Sequence, residues 1–224
     1  MNKKTMLSAM LAMMLAGCGS TTAAAVSTSP AASPSASASA AASAESTSLT
    51  EEYSSLPADN AYTLLSDHQD VEDMLNHGTG VLFFGFPECP WCQYYVPMLN
   101  EDALAAGVNV KYYNIYVDKT ADRTWYDSIA DLLDEKDSEI THYDNDGKKV
   151  IYMPLVVFLH DGEIIGFDDE TCDLDSDEIS PADYWTDEKI SALHERLSSL
   201  LSQVKTFQEE GNAEGCAVKA SPDC

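Results

Sequence analysis

The residues with the clearest chemistry are Cys89 and Cys92, set two residues apart in Pro87-Glu88-Cys89-Pro90-Trp91-Cys92. At the start of a helix this spacing puts both sulfurs on one turn, close enough for a disulfide to open and close without refolding. The first thiol lies where unsatisfied amide N–H groups and the helix dipole favour thiolate, the form that attacks a disulfide. Cys89 is therefore the candidate nucleophile, on an exposed first turn, and Cys92 the residue that resolves a mixed disulfide from within. Cys92 lies one turn further in, where the strand carrying Phe84 and Phe86 is expected to shield it. The same spacing also serves as half a zinc knuckle or as a permanent structural disulfide. A zinc site needs two further ligands, and Cys216 and Cys224 are spaced too widely for a second knuckle. Exchange is preferred to both, with no metal and no cofactor.

The elements that must hold this pair can be read from the flanking pattern. Ser66 with Gln69 resembles a capping box, Val71, Met74 and Leu75 recur at helical spacing, and Gly78 stands at a stop position. Val81 to Phe86 is a continuous apolar run, as in a strand buried on both faces, and it leads into the cysteines. Tyr94, Tyr95, Met98 and Leu99 predict a helix after them, kinked at Pro97. Val108 to Val117 reads as a strand and Ala121 to Leu133 as a helix. Leu155 to Leu159 and Glu163 to Phe167 flank Asp161-Gly162, a hairpin signal. Ile190, Leu193, Leu197, Leu200, Leu201 and Val204 mark one face of a long helix capped by Thr186. This alternation predicts an α/β domain with a central mixed sheet flanked by helices.

The run Phe83-Phe84-Gly85-Phe86-Pro87-Glu88-Cys89-Pro90-Trp91-Cys92, followed by Tyr152-Met153-Pro154, a strand pair and a helix, resembles the thioredoxin-like superfamily. Within it the pattern is similar to exported, lipoprotein-type members and to bacteriocin-transport accessory proteins of low-GC Gram-positive bacteria. The resemblance covers residues 66–208 and implies a thioredoxin-like fold and protein thiol–disulfide oxidoreductase activity. It implies protein or peptide thiols and disulfides as partners, with a membrane redox protein among them. It also implies a cis Pro154 facing the cysteines, and a Met153 whose backbone pairs with substrate. Pro90 and Trp91 are candidate substrate contacts, and the aromatics Trp91, Tyr94 and Tyr95 offer an apolar docking surface or part of the core. Two departures stand out. Phe83 occupies the strand position where many thioredoxins carry a buried Asp, and the intervening Pro90 and Trp91 supply no cation. Glu88, as a modulating residue, adds a negative charge that should disfavour thiolate and lean the pair toward reductase or isomerase. A competing reading keeps the fold as a non-catalytic accessory or binding lipoprotein.

The rest of the chain bears on location. Lys3 and Lys4 precede an apolar run, Met6 to Ala16, too short to span a bilayer comfortably, which ends in Leu15-Ala16-Gly17-Cys18. That ending resembles a lipobox and implies lipidation at Cys18, hence anchorage on the outer face of the cell membrane. Residues 1–18 are expected to be the signal, 19–50 a Ser/Ala/Thr/Pro tether, 51–208 the folded domain and 209–224 a tail. Within the domain, residues at about 169–185 read as a solvated acidic insertion. It holds Cys172 and Asp173-Leu174-Asp175-Ser176-Asp177, which fails as a calcium loop at its sixth and twelfth positions. Cys216 with Cys224 is the simplest tail pairing, leaving Cys172 free, exchanging or intermolecular. The five histidines show no ligand spacing. With 38 acidic against 12 basic residues and a formal charge of −26, the surface repels nucleic acid, so none is expected as a ligand.

Overall fold

The computed structural model describes residues 49–170 and 179–219, with side chains described as far as Gly211. Helix α1, Leu49–Glu52, leads to strand β1, Tyr62–Leu64, and helix α2, His68–His77. Strand β2, Gly80–Phe84, then runs into helix α3, Pro90–Ala106, followed by strand β3, Val110–Tyr113. Helices α4, Tyr116–Thr120, and α5, Thr124–Lys136, precede a short antiparallel pair, β4 His142–Tyr143 with β5 Lys149–Val150. Strands β6, Leu155–His160, and β7, Glu163–Asp168, are followed by helices α6, Pro181–Tyr184, and α7, Asp187–Lys219.

The main sheet has five strands in the order β1-β3-β2-β6-β7. Strands β1, β3 and β2 are parallel, and β6 and β7 continue the sheet antiparallel. The chain is thus α/β with a mixed sheet flanked by helices, as expected. Its central strand explains the unbroken apolar run, because both faces of β2 are covered. Val81 and Phe83 point to a core built with α3, α7 and Tyr53, while Leu82 and Phe84 point to a second core built with α2 and α5. Cys92 belongs to the first core, so Phe83 and not Phe84 lies on its side of the sheet.

Local chemistry sets most boundaries. Asp67 rather than Ser66 caps α2, its carboxylate accepting the Gln69 N–H at 2.9 Å. Asp161 and Gly162 both have positive φ, 50° and 81°, as a two-residue hairpin turn requires. A Cβ at Gly162 would lie 2.1 Å from the Asn76 carbonyl oxygen, so the tip accepts only glycine. The Lys189 N–H meets Thr186 Oγ1 at 3.4 Å at the start of α7.

Four expectations need correction. The strand expected to reach Val117 stops at Tyr113, because Ile115 already turns into α4. The helix expected from Ala121 starts at Thr124, because Arg123 sits in the left-handed region at φ 62°. Helix α7 runs through the start of the expected tail to Lys219. Both ends of the acidic insertion are built into the fold: Asp169 meets His142, Glu170 meets Arg196, and Tyr184 and Trp185 are buried. Its centre, with Cys172 and the acidic run 173–177, lies outside the described residues.

Candidate active site

Helix α3 positions the cysteines from its first residue. Cys89 is the N-cap, in extended conformation, and Pro90 follows at a position where its missing N–H costs no helical hydrogen bond. The Cys92 N–H donates to Cys89 Sγ at 3.2 Å. Both thiols are free, and both are buried: Cys89 is 4% exposed and Cys92 not at all. The first turn is therefore less open than its terminal position suggests, and Cys89 sits at the floor of a groove. The Cys92 S–H hydrogen bond holds the Cys89 thiol below its ordinary pKa, against the effect of burial and with help from the Cys92 and Trp91 amides. Burial, and the hydrogen bond it gives to Cys89, push Cys92 well up. The two thiols are thus chemically unequal.

Across the groove, the Met153–Pro154 bond is cis, and the Cys89 thiol donates to the Met153 carbonyl at 3.5 Å. Sixty-four positions of sequence separate these two residues, and β6, hydrogen-bonded beside β2, brings them together. Pro154 is buried and Met153 half-buried; Pro90 is exposed beside Cys89. Trp91 is only 8% exposed and stands edge-on to Tyr184 at 5.5 Å. Tyr95 is core, whereas Tyr94 is exposed.

Glu88 is exposed, and its charge raises the carboxyl of Glu52, secondarily to burial, and adds to the raised pKa of Tyr112. The thiol held up by its neighbour, as the sequence suggested, is not what this geometry favours, because the hydrogen bonds to Cys89 lower it. Phe83 fills the strand position noted above, its ring stacked against Tyr95 at 6.0 Å and Tyr112 at 5.7 Å. Beyond it, Tyr53 and Tyr112 share a buried hydroxyl contact of 3.1 Å. Burial pushes both phenols far above their ordinary range, Tyr53 further through Tyr112 and Cys92, so these hydroxyls stay neutral.

The groove has a volume of about 330 Å³, and Phe86, Trp91, Tyr116, Tyr152 and Lys119 line it with Met153. Sequence reasoning placed Phe86 in the strand shielding Cys92 and Tyr152 in the run before Pro154, but gave neither of them, nor Tyr116 or Lys119, a place in the groove. A topological signal for two of them exists: β2 and β3 are parallel neighbours, so the residues just beyond their carboxyl ends, Phe86 and Tyr116, lie side by side. Their rings stack at 4.2 Å.

Cys18 and Cys224 lie outside the described residues, and Cys216 lies where only the backbone of α7 is described. Among the described residues, no helix is long and apolar enough to cross a membrane, and no cluster of metal-ligating side chains occurs. No protein-family model, curated protein or solved structure matches the chain.

Proposed function

We propose that the chain is a thioredoxin-like protein thiol–disulfide oxidoreductase, held by a lipid at Cys18 on the outer face of the cell membrane. The observation that carries this reading is Cys89 itself: a helix-capping sulfur, receiving the Cys92 N–H and facing the Met153 carbonyl. The strand order, with three parallel strands extended by an antiparallel hairpin and the cysteines following the central strand, supports the thioredoxin-like part. The lipid anchor rests on Leu15-Ala16-Gly17-Cys18.

In this mechanism the Cys89 thiolate attacks one sulfur of a substrate disulfide. A Cys89–substrate S–S bond forms as the substrate bond breaks, and its electron pair leaves on the second substrate sulfur, which takes up a proton. Cys92 then loses its proton and attacks Cys89 Sγ, closing the Cys89–Cys92 disulfide and releasing the remaining substrate thiolate. The substrate gains two electrons and the pair loses two. Run backwards, the same steps oxidise a dithiol, and a second thiol or disulfide partner, soluble or in the membrane, resets the pair.

The test is substrate trapping in cells. Cys92→Ala should accumulate mixed disulfides with other proteins, and Cys89→Ala should abolish them. If both variants trap nothing, the binding-lipoprotein reading replaces the enzymatic one.

A further inference from the structure

Lys119 lines the groove beside Cys89 without an ionic partner. Among the described residues its ammonium makes no ion pair and no hydrogen bond, and it stands over the Tyr126 ring at 5.7 Å from the centroid. Its cationic neighbour Arg123 is already committed to Asp127. In a chain with 38 acidic residues, a half-buried ammonium left unpaired is unfavourable unless something outside the chain supplies the counter-charge. Burial, and secondarily the charge of Arg123, hold its pKa below the ordinary lysine value, with only Asp144 opposing.

We propose that this groove selects extended peptide substrates whose reacting cysteine is flanked by an acidic side chain, and that Lys119 is the residue that reads it. The inference rests on the oxidoreductase reading and names its substrate class. Three features define the occupant. The stacked Phe86 and Tyr116 rings, with half-exposed Tyr152, form a flat apolar wall for a side chain beside the cysteine. The Met153 carbonyl, which holds the Cys89 S–H in the resting thiol, loses that donor when Cys89 ionises and is left to accept a substrate N–H, as in strand-like peptide recognition. The single ammonium then fits a single carboxylate, since a polyanion would meet the field of the surrounding acidic surface.

The test uses the full-length protein with Cys18, Cys172, Cys216 and Cys224 replaced by Ser, so that only Cys89 and Cys92 report. Short peptides carry one cysteine as a 2-thiopyridyl disulfide beside an apolar residue, with Glu, Gln or Lys placed in turn at each neighbouring position. Attack by Cys89 forms the Cys89–peptide disulfide and releases 2-thiopyridone, read by absorbance. At one or more positions the Glu peptide should react about five- to tenfold faster than its Gln counterpart. The ratio should fall to near unity in Lys119→Gln and survive in Lys119→Arg. Because the readout is a ratio within each variant, a change in overall rate leaves it interpretable. Exchange with every peptide at equal rates, or a preference unchanged in Lys119→Gln, would overturn the inference while leaving the oxidoreductase reading in place. No exchange with any peptide would overturn both.

Discussion

The amide of Cys92 points at the sulfur of Cys89 from 3.2 Å, so in the proposed mechanism the resolving residue also prepares the nucleophile. Cys89 is lowered by the Cys92 S–H and by amide donors, whereas Cys92 is raised by burial and by the hydrogen bond its S–H donates to Cys89. A lowered pKa means that thiolate persists to lower pH and is lost as pH falls through the shifted value. Alkylation of reduced protein by iodoacetamide, followed by peptide mass spectrometry, should therefore show Cys89 reacting at least about tenfold faster than Cys92 at pH 7. The midpoint of the Cys89 rate profile should lie below that of a free cysteine. Equal rates for the two thiols would contradict this.

Tyr53 anchors the first described segment. It is completely buried, stands edge-on to Tyr112 at 5.8 Å, and shares its hydroxyl contact. Tyr53→Phe should cost about 1 kcal/mol by leaving the Tyr112 hydroxyl short of a partner. Tyr53→Ala should cost about 3–5 kcal/mol by opening a cavity in the core against α3. Urea unfolding followed by circular dichroism measures both.

Gly85 joins β2 to the cysteine turn. A Cβ there would lie 2.5 Å from the Phe83 ring and 3.3 Å from Cys92 Sγ. The ring is fully buried and stacks against both Tyr95 and Tyr112, so it has little room to give way. Gly85→Ala should lose about 1–3 kcal/mol of stability and slow Cys89 exchange, measured by urea unfolding and by 2-thiopyridone release. A variant as stable and as fast as the parent would show that the turn is not close-packed.

Arg196 is the counter-charge for Asp168, a carboxylate 6% exposed at the end of β7. Burial raises the Asp168 pKa even with Arg196 opposing it. A carboxyl raised in the folded state favours folding at low pH and opposes it as pH rises through the folded value. Arg196→Met removes the opposing charge, so the variant should lose about 1–3 kcal/mol near neutrality, allowing for the half-exposed guanidinium. The deficit should shrink as the carboxyl protonates in acid. Thermal unfolding across pH measures it.

The parts of the fold legible in the sequence are those with strong local signatures. The run 81–84 is apolar because β2 is covered on both faces, the pair at 161–162 is a turn because of its backbone preferences, and the stripe from Leu193 to Val204 faces one core. The cysteine pair was legible for the same reason: its chemistry depends on two nearby residues. What escaped depends on distant partners. Strand β1 is three residues long and is defined only by pairing with β3. The Leu49, Tyr53 and Leu56 spacing was a usable core signal in a segment given no element. The break at Arg123 needs a left-handed residue that no glycine advertises, and Lys119 and Tyr116 enter the site only because α4 follows the carboxyl end of β3.

Whether Cys89 and Cys92 work as a redox pair is decided by a redox titration. The full-length protein is equilibrated in thiol–disulfide buffers of graded potential, quenched in acid, alkylated, and the peptide containing both cysteines is weighed. The pair should open and close in one two-electron step between about −120 and −270 mV, the span of catalytic dithiols. A pair that stays closed in buffers below about −300 mV, or never closes at all, would contradict the account.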